Sequence, residues 1–272
     1  MTQEMRGLDE LRAETLVGWE TNAAYFDDQL DDDGDEWQRE LIGPVVERFL
    51  ELGPKARLLE VACGNGVFAR RMARLGVQVT ATDFSPKMIE VASARAPELA
   101  KLIDYSVADA NDKGALAALA ETQFDAAVCN MSIMSIPELK PMYEAVYSQV
   151  KPGGSFVVST LHPAFATTLP KMEKEEVETE EGTQTAWSIK LARYKNAFVS
   201  KGVAIIGQPE PQFYFHRPLE YLLVEPFEVG WVLDALEEPT LTQKQRSKLR
   251  MMWETLPEIP PVIVMRFRRP AG

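Results

Sequence analysis

Residues 58–69 read Leu58-Leu59-Glu60-Val61-Ala62-Cys63-Gly64-Asn65-Gly66-Val67-Phe68-Ala69. An apolar strand ends in an acid, turns through two glycines and continues into a helix. Glycine permits tight backbone angles and close approach of a ligand. The helix start behind the turn offers free N–H groups to an anion, either a pyrophosphate or an amino-acid carboxylate. Spacing alone does not separate these ligands, because Gly64-x-Gly66-x-x-Ala69 also meets the dinucleotide fingerprint. Glu60 bears on the choice: a carboxylate there repels a pyrophosphate and attracts a cationic amino acid.

The pattern around this stretch alternates. Candidate strands are Arg57 to Ala62, Val77 to Thr82, Leu102 to Val107, Phe124 to Cys129 and Ser155 to Leu161. Helical stretches lie near 66–75, 85–95, 112–121 and 137–150. Ser85-Pro86 reads as an N-cap with proline at the first helical position. Leu139, Met142, Tyr143, Val146 and Val150 share one helical face, and Lys151-Pro152-Gly153-Gly154 stops that helix. Such alternation predicts an α/β fold with a parallel sheet covered on both faces. Upstream, Ile42, Val45, Val46, Phe49 and Leu50 form an amphipathic helix that Gly53-Pro54 ends. The acidic run from Asp27 to Glu36 lacks the ligand spacing of a calcium loop and reads as a solvated loop.

After Leu161 the alternation breaks. Residues 162–216 read as an insertion with an acidic stretch at 173–181 and strands at 185–191, 202–207 and 212–216. A helix near 218–225, a strand at 231–236, a helical segment near 242–254 and a strand at 261–268 follow. The chain therefore divides into 1–161, 162–216 and 217–272.

Composition narrows the function. The 272 residues carry 41 acidic and 29 basic side chains, a net charge of −12, which disfavours nucleic acid as a partner. No apolar run is long enough to span a membrane. The charged start, Met1 to Arg6, lacks the apolar core of a signal peptide. Cys63 and Cys129 are too few for a disulfide scaffold or a zinc site, so a reducing cytoplasm is expected and no metal. Both end neighbouring strands and read as small buried residues.

Beyond the first strand, Asp83 ends the second, where an acid suits ribose hydroxyls. Asp109-Ala110 follows the third and can accept from an adenine amino group. Together with Lys151 to Gly154, these positions resemble the class I S-adenosylmethionine-dependent methyltransferases, particularly bacterial small-molecule enzymes, over about residues 37–161 and again at the C-terminus. The resemblance implies a doubly wound, Rossmann-like seven-stranded sheet with an antiparallel last strand, an N-terminal helical lid and an inserted cap after the fifth strand. It implies S-adenosyl-L-methionine as cofactor. The Gly64–Gly66 turn would approach the methionine carboxylate and Glu60 the ammonium. Asp83 would bind the ribose, with Phe84 beside the adenine and Asp109 and Ala110 at its edge. Asn130 and Met131 would flank the sulfonium. Ala62 departs from the family, which often has glycine there, but it is small enough to keep the cofactor.

Asn130-Met131-Ser132-Ile133 lacks the Asn-Pro-Pro-Tyr-like motif of enzymes that methylate nucleic-acid amines. Tyr147-x-x-x-Lys151 matches the spacing of a dehydrogenase catalytic pair, but Lys151 opens a Pro-Gly-Gly turn. His162 and His216, the only histidines, are the candidate bases or substrate-positioning groups. Trp19 and Tyr25 are candidate lid residues. Phe165, Trp187, Tyr194, Phe198, Phe213 and Tyr214 are candidate cap aromatics. The expected reaction is methyl transfer to an O, N or C nucleophile of a small organic molecule. A nicotinamide-dependent oxidoreductase and a non-catalytic adenosyl-binding module are the alternatives. Monomer and homodimer are equally compatible with the sequence.

Overall fold

The computed structural model describes residues 7–119, 123–166, 171–180, 182–240 and 259–272. The helical segment expected near 242–254 lies outside them, as does the side chain of Trp187. The alternating strands are β1 (Arg57–Val61), β2 (Gln78–Asp83), β3 (Ile103–Val107), β4 (Phe124–Asn130) and β5 (Val150–Leu161). After the insertion, with β6 (Lys171–Thr179), β7 (Gly182–Lys190), β8 (Phe198–Gly202) and β9 (Gln212–His216), come β10 (Val232–Glu237) and β11 (Val262–Arg268). One seven-stranded sheet runs β10-β11-β5-β4-β1-β2-β3. Strands β1 to β5 pair in parallel, and β11 is antiparallel to both β5 and β10. This is the Rossmann-like sheet with an antiparallel last strand.

The side-chain alternation of a strand builds two cores from one sheet. Leu58, Val79, Ala126, Val128, Val157 and Val264 face α2 (Gly43–Leu50) and α3 (Val67–Arg74). Their neighbours Leu59, Val61, Ala127, Phe156, Val158 and Met265 face α6 (Lys140–Gln149) and α7 (Leu219–Val229). Cys63 joins the first cluster and Cys129 the second, so the two free thiols lie on opposite faces of the sheet. Burial pushes both thiols up, away from thiolate chemistry. The apparent dehydrogenase pair is structural: Tyr147 packs edge-on against Trp231 at 5.1 Å, and Lys151 pairs with Asp125 at 2.5 Å.

Between β2 and β3 lies α4 (Pro86–Ala94), capped by Ser85 Oγ, which accepts from Met88 N–H. The short α5 (Lys113–Ala117) is capped by Asp112. At the N-terminus a 23-residue helix, α1 (Leu8–Leu30), lies against α4 and β9. Its inner face carries Leu11, Thr15, Asn22, Ala23 and Phe26. The acidic run expected as a solvated loop is one only in part: Asp27 and Asp28 belong to the end of α1, Asp31 to Asp33 are exposed, Asp35 and Glu36 are half-buried, and arginines anchor it. Arg70, fully buried, donates to the carbonyls of Asp31 and Asp32 and to that of Asn65 in the glycine turn. Arg74 pairs with Asp33, and Arg95 with Asp27 and Asp32.

The insertion forms two hairpins, β6–β7 and β8–β9. Residues 173–180 of the acidic stretch fall in the first. The strand expected over 202–207 is not formed; pairing uses Phe198–Gly202 instead. Gln208 explains the shift, because its Oε1 accepts from the N–H groups of Ala204 and Ile205 and draws that segment out of the ladder.

Candidate active site

Parallel pairing places the carboxyl ends of β1, β2, β3 and β4 on one edge, and the crossover between β1 and β4 opens a crevice there. Two cavities meet in it. The larger, about 500 Å³, is lined by Glu60, Gly64, Asn130 and Met131. The smaller, about 80 Å³, is lined by Asp83, Phe84, Asp109 and Ala110. They share Trp19, Ala62, Gly64, Met88, Ser132 and Ser135. Every cofactor position expected from the sequence except Gly66 therefore lies on one or both walls.

Gly66 sits behind the wall and is required by the backbone. Its φ is +77°, and a Cβ there would fall 2.4 Å from the Tyr105 hydroxyl. Gly64, at φ +55°, has open space where its Cβ would be, so a ligand can approach the main chain. Ala62 also has positive φ, +57°. A non-glycine residue in this left-handed conformation carries strain of about 1 kcal/mol that glycine would not. Ala62→Gly is expected to raise stability by roughly 0.5 kcal/mol, read from urea unfolding. A loss of stability would show that packing of the Ala62 methyl outweighs the strain.

Glu60 is 2% exposed, and its Oε2 has no hydrogen-bond partner. Burial pushes its carboxyl up to about 8, opposed by Arg70 and reinforced by Asp83. A buried acid with a free acceptor on a cavity wall is matched by a cation. Asp83 is held from both sides: Oδ2 accepts from Gly64 N–H at 2.9 Å and Oδ1 from Ser85 N–H at 3.0 Å. Burial lifts its carboxyl to about 6 against those bonds. Each oxygen keeps a lone pair for a hydroxyl. The Asp109 carboxylate is already engaged, because Oδ2 accepts from Arg12 at 2.7 Å and Oδ1 from Asn111 N–H at 2.8 Å. Asn130 Nδ2 donates to Gln38 Oε1 at 3.0 Å, and Asn130 Oδ1 accepts from Ser159 Oγ at 2.6 Å.

The histidines lie elsewhere. His162 packs on Phe165 and lines neither cavity. Its Nδ1 accepts from Ala164 N–H and its Nε2 meets Glu238 at 2.7 Å, so both ring nitrogens are engaged. Burial lowers its pKa against the pull of Glu238. His216 meets the Tyr194 carbonyl at 2.9 Å and stacks on Phe198. It lines a third cavity of about 220 Å³ beside the larger one. Trp19 faces both main cavities, whereas Tyr25 reaches neither and donates to the Ile206 carbonyl at 2.6 Å. Of the cap aromatics, Phe165 and Tyr214 reach the larger cavity.

Sequence reasoning missed Phe26, Asp35, Gln38 and Ile205, which also line the larger cavity. Gln38 lies in a π-helical turn, Trp37–Ile42, that precedes α2. Asp35 Oδ1 accepts from Gln38 N–H at 2.9 Å and caps this turn. The Asp-x-x-Gln spacing is a capping signal visible in the sequence, but it does not reveal the cavity.

Residues 59–158 match the methyltransferase domain family. That stretch, from β1 into β5, is similar to methyltransferase domains. Over 109 residues it is 39% identical to the ubiquinone biosynthesis O-methyltransferase of Xanthomonas campestris pv. campestris (strain B100), covering 40% of this chain and 44% of that relative. The chain thus spans less than half the length of that curated relative. A crystal structure of an S-adenosylmethionine-dependent methyltransferase from Mesorhizobium loti superposes with TM-score 0.65 at 24% identity, covering 88% of this chain and all of that one. The glycopeptide N-methyltransferase MtfA, solved with S-adenosyl-L-methionine, superposes with TM-score 0.54 at 16% identity, covering 84% and 92%. The methyltransferase fold thus extends beyond the matched domain into the flanking helices and the last strands.

Proposed function

We propose that this chain transfers the methyl group of S-adenosylmethionine to an O, N or C nucleophile of a small organic molecule held in the larger cavity. The observation that carries this reading is the pair of joined cavities at the carboxyl edge, with a free buried acceptor on Glu60 in one and Asp83 in the other. When bound, the cofactor supplies a methyl group already activated by its sulfonium. Glu60 would hold the ammonium and Asp83 the ribose hydroxyls. The Gly64–Gly66 turn and the start of α3 would meet the carboxylate. Phe84 and Ala110 would flank the adenine, and Asn130 and Met131 the methyl end. The protein's remaining work is to align the nucleophile and exclude water. A side-chain base is needed only for a nucleophile protonated at working pH. The two buried thiols accord with a reducing, cytoplasmic setting.

Helix α1 and the second hairpin would close the site as lid and cap. Asn22, fully buried, makes two bonds to the main chain of Glu210 at 2.8 and 2.9 Å. Arg12 on the same helix holds Asp109. Trp19→Ala is expected to weaken S-adenosylhomocysteine binding by about tenfold, a loss near 1.4 kcal/mol. Unchanged affinity in calorimetry would remove Trp19 from the lid.

The function is tested by calorimetric titration with S-adenosylmethionine, S-adenosylhomocysteine and NADH, followed by labelled-methyl transfer to a broad acceptor panel. Binding of both adenosyl ligands with transfer to an acceptor supports the reading. Selective binding of NADH would replace it with an oxidoreductase. Tight adenosyl binding without transfer to any acceptor would make the protein a binding module.

A further inference from the structure

Charge is distributed unevenly on the larger cavity. Its walls are mostly apolar and aromatic, including Trp19, Phe26, Trp37 and Ile205. Among the described residues, none of those lining it is Lys, Arg or His, and its two ionisable carboxyls are Glu60 and Asp35. On the reading above, Glu60 is answered by the cofactor's ammonium. Asp35 is left facing whatever else the cavity holds.

Asp35 is placed for that encounter. The turn it caps presents Gln38, whose Oε1 is fixed by Asn130 Nδ2 at the end of β4. Asp35 therefore lines the same cavity as Asn130 and Met131. Burial pushes the Asp35 carboxyl up, while the Gln38 and Trp37 N–H groups and the charge of Arg39, which is exposed and donates to the Gly34 carbonyl, pull it down. Capping alone does not require a charge here, because asparagine caps as well as aspartate. The whole chain carries −12, which attracts cations and repels anions over longer range.

We propose that the methyl acceptor is an apolar, ring-sized molecule bearing a basic amine, with Asp35 as the counter-charge that selects it over carboxylate or phosphate analogues. The inference rests on the methyltransferase reading. Desolvation by the apolar walls strengthens a carboxylate–ammonium contact and penalises a second anion. The same walls take the ring.

The test uses the full chain saturated with S-adenosylhomocysteine, so that Glu60 is occupied and no turnover intervenes. Three matched probes are titrated: 1-naphthylmethylamine, 1-naphthylmethanol and 1-naphthoate. The amine is expected to bind at least about tenfold more tightly than the alcohol, with no measurable binding of naphthoate. Asp35→Asn is expected to abolish the amine's advantage and leave alcohol binding and S-adenosylhomocysteine binding within about twofold. Naphthoate binding as tightly as the amine, an amine preference that survives Asp35→Asn, or no binding of any probe to the loaded protein would overturn the proposal. Failure of S-adenosylhomocysteine itself to bind would be a separate result: it would sink the methyltransferase reading, and this inference with it.

Discussion

Asp83→Ala is expected to weaken S-adenosylhomocysteine binding about a hundredfold and to destabilise the fold by roughly 2–4 kcal/mol. The two losses have different origins. Asp83 accepts from Gly64 and Ser85 N–H groups, and alanine leaves both donors unpaired in a buried place. It also removes the acceptors proposed for two ribose hydroxyls. Asp83→Asn separates these effects, because it retains one acceptor oxygen and most of the volume. It should recover part of the stability while binding stays impaired. Urea unfolding and calorimetry on both variants read the two quantities independently. Affinity within threefold of wild type for Asp83→Ala would remove this residue from the cofactor site.

Glu60→Gln should do the opposite to the ligand-free fold. The Glu60 carboxyl is raised from 4.5 to about 8, chiefly by burial. A raised folded value means that the folded state holds the proton more tightly than the unfolded state does. The acid therefore costs nothing below its ordinary range, and its ionisation erodes stability as pH climbs from about 4.5 toward 8. The full cost is on the order of 5 kcal/mol. Glutamine never ionises, so the ligand-free variant should melt several degrees above wild type near pH 8.5 and level with it near pH 5. Cofactor affinity should move the other way and fall at least about tenfold, because the ammonium loses its counter-charge. Thermal melts across pH and one titration at pH 8 check both signs. Equal melting temperatures at high pH would show that Glu60 is not ionised against burial. Unchanged affinity would show that it does not meet the cofactor's cation.

On the proposed function, the cost of these two buried acids has a use. Each carboxyl is buried and raised above its ordinary range, which weakens the empty protein and leaves it poised for a ligand with matching cation and hydroxyls. Binding to the folded state alone would return that stability.

The alternating strands and helices follow from signals carried within short stretches, whereas the seven-stranded order was implied only by the family resemblance. Leu58 and Leu59 point to opposite faces because a strand alternates, and the glycine turn follows because Gly64 and Gly66 take positive φ. Ser85-Pro86 and Asp112 start their helices with their own side chains. Such features depend on neighbours a few residues away, so they are legible in the linear chain. Glu60 and Asp83 were legible because strand ends in a parallel sheet gather on one edge.

Tertiary structure decided the rest, through partners far apart in the chain. The acidic run reads as a free loop until Arg70, Arg74 and Arg95 arrive from α3 and beyond α4 to clamp it. Asp109 reads as an acceptor without a partner in the chain, and the fold brings Arg12, 97 residues away, onto one of its oxygens. Tyr25 and Trp19 look equivalent in sequence, yet the docking of α1 turns one to the 206 carbonyl and the other to the cavities. His162 reads as a base until Glu238 and the Ala164 N–H engage its ring. Asp35 reads as part of a solvated acidic loop and becomes the cavity's second acid only when its turn packs against the end of β4. Local periodicity and backbone preference determined which elements this chain forms. Only packing determined which polar side chain each distant partner satisfies, and hence which remain free to meet a ligand.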